Sequence, residues 1–155
     1  MIRLLLCSVI AISLYAEHIG FPKHYYQINN TAIQKEKFVE ILLPLIEEEN
    51  RKIAEDRLFI VQFFNEYYYT WSASSRDKVR HLAKLAKKYK IKSRYQKEEY
   101  LKKIDQIPTS MVLAQAAVES AWGKSRFVTT ANNIFGQWTY GKHGIVPKNR
   151  EVGKH

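Results

Sequence analysis

Met111-Val-Leu-Ala-Gln-Ala-Ala-Val-Glu-Ser-Ala-Trp-Gly123 decides how the rest of this chain is read. Ile107-Pro108-Thr109-Ser110, just ahead of it, predicts a helix start, because proline disfavours helical backbone in the residue before it and a hydroxyl can cap the orphan amides beyond it. The stretch is almost entirely small or apolar, with high helix propensity, and Gly123 predicts its end. Such a composition suits a helix packed on several sides. One carboxylate interrupts it. Glu119 shares a helical face with Val112, Gln115, Ala116 and Trp122, which predicts a side chain lying beside an amide and an indole. Desolvation of a carboxyl in that setting favours its protonated form, the state a general acid needs near neutral pH. The plainer alternative is a glutamate with a capping or ion-pair role near the helix end, with Lys124 and Arg126 as available partners.

Downstream, Asn132-Asn133-Ile134-Phe135-Gly136 suits a turn with a left-handed residue, since asparagine tolerates that backbone and its amide can bond nearby main chain. Trp138 and Tyr140 offer flat faces that could take sugar rings or pack into a core.

Upstream, Ile33, Phe38, Ile41, Leu42, Leu45 and Ile46 are spaced as on one face of a helix. Thr31-Ala32-Ile33-Gln34 reads as its capping box, and Pro44 predicts a kink or a division, because it lacks the amide that an interior helical position needs. A second helix is expected over Arg51–Tyr68. The aromatic run Phe63, Phe64, Tyr67, Tyr68, Tyr69 and Trp71 reads as packing surface. From Arg76 to Lys103 there are twelve Lys and Arg against three acids, with Val79, Leu82, Leu85, Ala86 and Tyr89 forming an apolar stripe after a Ser74-x-x-Asp77 capping signal. This basic amphipathic segment is either a solvated helix face or a surface for an anionic polymer or membrane. It shows no groove-reading or base-stacking pattern.

Met1-Ile2-Arg3, then the apolar run Leu4–Leu14, then Ala16 before Glu17, predicts a signal peptide over residues 1–16. Eleven apolar residues are too few to span a bilayer of ~30 Å. The processed chain would lose Cys7, the only cysteine, and would carry 24 basic against 15 acidic residues, or +9 instead of the +10 of the 155-residue chain. The expected location is therefore an exported one. A single cysteine permits no intramolecular disulfide, and the five histidines never fall three or four residues apart, so no metal site and no cofactor is expected. At 46% hydrophobic and 13% aromatic, the chain can bury a core, which disfavours disorder and low complexity. The positive charge calls for an anionic partner without choosing one.

Leu113-Ala-Gln-Ala-Ala-Val-Glu-Ser-Ala-Trp-Gly-Lys-Ser-Arg126, followed by Asn132-Asn-Ile-Phe-Gly-Gln-Trp138, resembles the signature of the bacterial glucosaminidases of glycoside hydrolase family 73, and within them the Bax-type subgroup of Gram-negative bacteria. Phe38-Val-Glu-Ile-Leu-Leu-Pro-Leu-Ile-Glu-Glu-Glu-Asn50 is similar to the helical segment preceding the catalytic module in that group. The resemblance implies a mainly α chain: a helical N-terminal region over residues 17–105, then the start of a lysozyme-like α+β module over residues 106–155. It implies an enzyme that cleaves glycosidic bonds next to N-acetylglucosamine in peptidoglycan, with Glu119 as proton donor. The substrate contacts it implies are Gln115, Trp122, Asn132, Asn133, Phe135, Gly136, Trp138 and Tyr140. Gln115 or a groove asparagine would orient the acetamido group.

Glycoside hydrolysis ordinarily employs two carboxylates. After Asp105 the chain holds only Glu119 and Glu151, and Glu151 lies in a polar stretch beside Arg150 and Lys154. In the family the second acid is expected from a later segment, so residues 106–155 match only the opening of the module. Truncation is the favoured explanation, ahead of Glu151 as substitute or assistance by the substrate's N-acetyl group. The expected partners are peptidoglycan glycan strands and, through the charge, the anionic envelope surface of the periplasm. A non-catalytic envelope-binding protein is the competing class, and nucleic-acid binding conflicts with an export signal.

Overall fold

The computed structural model describes residues 20–68 and 75–137, all in helices, turns and connecting loops. A 3₁₀ turn at Lys23–Gln27 precedes five α-helices: α1 (Thr31–Gln62), α2 (Ser75–Lys88), α3 (Lys97–Lys103), α4 (Thr109–Ser120) and α5 (Arg126–Ala131). The mainly α fold read from sequence is what these residues adopt. Tyr69, Trp71, Ser74, Trp138, Tyr140, Glu151 and the leader over 1–16 lie outside the described residues.

Helix α1 differs from expectation at three points. Its cap is Asn30, whose Oδ1 accepts from the amides of Ala32 (2.9 Å) and Ile33 (3.2 Å), one residue ahead of the expected Thr31. Asparagine there satisfies two of the orphan donors at once, while Gln34, expected to reach back, is buried instead. The helix also runs unbroken through Pro44, so no separate helix begins at Arg51. Pro44 and Glu40, whose carbonyl loses its donor, both face solvent, where water can satisfy the orphan oxygen. Last, α1 passes into a π turn at Phe63–Tyr67, where the Tyr68 amide bonds the Phe63 carbonyl at 2.9 Å. The wider turn lets adjacent Phe63 and Phe64 both be buried, their rings edge to face at 5.4 Å.

By packing, the chain divides into two units. The first is Pro44–Thr109, and its core joins Ile53, Ile60, Phe63 and Phe64 to Leu82, Leu85, Ala86, Tyr89, Ile91, Tyr100 and Ile104. The stripe expected on the basic segment thus faces inward, while Arg76, Arg80, Lys84 and Lys87 face solvent. The segment is split in two by a reversal after α2. Lys90 is left-handed (φ 52°) and the Ile91 amide reaches the Ala86 carbonyl at 2.8 Å, closing the helix and tucking Ile91 into the core. Glu99 then clamps the connecting loop, accepting from the amides of Lys92 (2.8 Å) and Ser93 (2.7 Å). Two further clamps span long sequence distances. Arg57 donates to the carbonyls of Leu101 (2.8 Å) and Ile104 (2.5 Å) at the end of α3, and the Asn50 amide both donates to and accepts from the main chain of Ile107.

The second unit takes residues 20–43 together with those from Ser110 onward. The sequence places residues 20–43 in the helical N-terminal region, but aromatic packing ties them to the Glu119 segment. Phe21 stacks on Tyr25 (4.7 Å) and Phe38 (5.5 Å), and Phe38 meets the Trp122 ring edge to face at 5.3 Å.

Candidate active site

Helix α4 begins at Thr109, directly after Pro108, as the Ile-Pro-Thr-Ser sequence predicts. Val112, Ala116, Ala117 and Ser120 are its buried residues. The opposite side is open: Met111 is 49% exposed, Val118 81%, and Glu119 is exposed with them. The expectation of a helix packed on several sides is therefore not met by the described residues, nor is that of a desolvated Glu119. Trp122 stands beyond the helix end with φ 55°, and its ring turns to Phe38, with the Lys35 ammonium 4.9 Å from the ring centre. Helical spacing misleads here because α4 stops at Ser120, two residues short of Trp122.

Beyond Glu119 the chain reverses sharply. Ala121, Trp122 and Gly123 are all left-handed (φ 50°, 55° and 76°), a backbone that costs roughly 1–2 kcal/mol per residue carrying a Cβ. Local bonds hold it. The Trp122 amide reaches the Ala117 carbonyl (2.9 Å) and the Ser125 amide reaches the Ser120 carbonyl (2.9 Å). Ser120, fully buried, donates its hydroxyl to Ala116 (2.6 Å) and accepts the Gly123 amide (2.8 Å). Gly123 is required twice over, by its φ and because a Cβ would lie 2.6 Å from the Phe21 ring. Sequence reasoning misses Ser120 because a serine in a helix reads as neutral, yet its place just after Glu119 and three before Gly123 is the cue.

Helix α5 starts on Ser125, whose Oγ accepts from Val128, and stops at Asn132, left-handed at φ 53° as the paired asparagines predict. The Asn132 Oδ1 accepts from the Gly20 amide. The Asn133 side chain closes the next loop, donating to the Gln137 carbonyl (2.8 Å) and accepting the Gln137 amide (2.7 Å). These bonds are the turn chemistry expected of the motif. The loop carries Gly136, at φ 61°, against the acid: a Cβ there would stand 3.1 Å from Glu119 Oε2.

The structure thus brings Glu119 and Gly136 together, with half-buried Phe135 beside Gly136 in the chain and Gln115 one turn before Glu119 on α4. It commits Asn132 and Asn133 to main-chain bonds and turns Trp122 toward Phe38. Among the described residues no ion pair holds Glu119, which removes the plainer ion-pair role with Lys124 or Arg126. No cluster of three His, Cys, Asp or Glu suited to a metal occurs among them.

A solvent-open carboxylate at a helix end is thus faced by a glycine of an asparagine-closed loop. Residues 98–153 match the model of the glucosaminidase family, described as mannosyl-glycoprotein endo-beta-N-acetylglucosaminidase. Over 108 residues, 66% of the chain, it is 33% identical to "Protein bax" of Escherichia coli (strain K12). The aligned part spans 38% of the length of that relative. No solved structure matches the chain.

Proposed function

We propose that this chain supplies the acid-bearing part of a glycoside hydrolase acting on peptidoglycan, of the endo-β-N-acetylglucosaminidase type, with Glu119 as general acid. The observation that supports it most is the position of Glu119 within the glucosaminidase segment: solvent-open, free of any ion pair among the described residues, and backed by the Cβ-less Gly136. An acid that must meet a bulky polymer needs that access. The absence of a side chain at 136 leaves the approach to its Oε2 clear.

In this reading a glycan strand lies along the exposed face of α4. The carboxylic acid of Glu119 gives its proton to the glycosidic oxygen as that bond to C1 breaks and positive charge develops on the sugar ring. Water, or the oxygen of the substrate's own acetamido group, then closes on C1. Gln115, one turn earlier on the same helix, can hydrogen-bond the acetamido group, and Phe135 can contact a sugar face. The chain works in the periplasm or cell envelope after export, where the solvent-facing cations of α2 meet an anionic surface.

The test is chemical identification of the new chain ends. Purified peptidoglycan is digested, the products are reduced with borohydride, and the sugar alcohols are identified by mass spectrometry. N-acetylglucosaminitol is expected. Muramitol would place the cut at the other glycosidic bond, and retention on glycan with no new reducing ends would favour a binding protein.

A further inference from the structure

Residues 20–26, ahead of α1, are tied both to the reversal that follows Glu119 and to the start of the loop that faces it. On one side, the Tyr25 hydroxyl donates to the Trp122 carbonyl at 2.5 Å, within the left-handed reversal that ends α4. The Phe21 ring fills the space at Gly123, and the Tyr26 hydroxyl accepts the Phe21 amide at 2.9 Å. On the other side, the Gly20 amide donates to Asn132 Oδ1 at the start of the loop that carries Gly136. One short segment therefore sets the spacing between the end of the acid's helix and the loop that faces the acid. Neither Tyr25 nor its neighbours in this segment belong to the glucosaminidase stretch, residues 98–153.

We infer that Tyr25 is a positioning residue for Glu119, acting through the Trp122 carbonyl and not on the substrate. This rests on the Glu119 reading above. Tyr25 is fully buried, its ring stacked on Phe21 and edge-on to Tyr26 at 5.5 Å, so the hydroxyl has a single direction in which to donate. Burial, with a smaller contribution from Tyr26, pushes the phenol up to about 12, which keeps the proton on the oxygen throughout the working range. Trp122 is a bulky residue in left-handed backbone, so its peptide is the one most ready to relax once its carbonyl partner is gone. Relaxation there shifts the end of α4 relative to Gly136, and since misplacement by about 1 Å can cost about a hundredfold, a smaller shift is expected to lower turnover by about tenfold.

The experiment is Tyr25→Phe, which deletes one oxygen and keeps the ring. Turnover of purified peptidoglycan is expected to fall about tenfold at unchanged KM, and amide exchange at Trp122, Gly123 and Ser125 to quicken while that of α2 stays as in the wild type. If the variant does not fold, Asn132→Gly keeps the left-handed backbone, removes the second tie, and is expected to show the same split of kcat from KM. Unchanged kcat in a folded Tyr25→Phe protein, or a rise in KM alone, overturns the inference. A wild type without turnover sinks the hydrolase reading instead, and the clasp is then decided by exchange: unchanged protection at residues 122–125 overturns it as well.

Discussion

Gly136→Ala separates the stability of the site from its chemistry. At φ 61° an alanine must adopt left-handed backbone, at a cost of roughly 1–2 kcal/mol. Its methyl would begin 3.1 Å from Glu119 Oε2, a few tenths of an ångström inside ordinary contact. The atom that must yield is the far end of an exposed, flexible side chain, so the clash adds little to the loss of stability. For a chain of this length each kcal/mol corresponds to about 2–4 °C in Tm, which puts the expected fall at about 2–8 °C. The displaced carboxylate is the proposed acid, and turnover is expected to drop about tenfold or more at temperatures where the variant is fully folded. Thermal melting monitored by circular dichroism, and release of reducing ends from purified peptidoglycan, read the two effects on one sample. A variant that melts lower but turns over at the wild-type rate would refute the claim that the loop fixes the acid's place.

Two further outcomes concern the fold. Asn30→Ala removes the cap that serves the amides of Ala32 and Ile33 and should lower unfolding free energy by about 1 kcal/mol in urea titrations, whereas Asn30→Ser should retain most of it; equal losses would show that the cap is not the cause. The Glu99 carboxyl is held down at about 2 by the amides of Lys92 and Ser93, with Lys103 adding to the effect. Its folded value lies below its unfolded one, so its contribution is complete above about 4.5 and is lost as pH falls toward 2. Urea midpoints measured between pH 5 and 2 should fall less steeply in Glu99→Gln than in the wild type, and parallel curves would contradict the assignment.

How far the sequence can be read depends on the range over which each signal acts. Helix α4 and its start after Pro108 are legible because capping chemistry is local, whereas its end falls at Ser120, ahead of the stop that Gly123 predicts. The left-handed Asn132 is legible for the same reason, and the inward stripe of Leu82, Leu85, Ala86 and Tyr89 comes from period alone. Pro44 misleads because its cost depends on whether the orphaned carbonyl meets solvent, which is a property of the folded surface. The setting of Glu119 differs from expectation because helical spacing does not extend to Trp122, two residues past the helix end. The grip of Gly20, Phe21 and Tyr25 on residues 122–132 is invisible, since bonds across about a hundred residues leave no pattern in a single chain.

The central claim is that Glu119 gives the proton that cleaves the glycan. It is met most directly by comparing wild type with Glu119→Gln for new reducing ends released from purified peptidoglycan, with folding of both checked by melting. The account predicts release by the wild type and a loss of about 10²–10⁴-fold in the variant. A folded Glu119→Gln protein that turns over at the wild-type rate would contradict it.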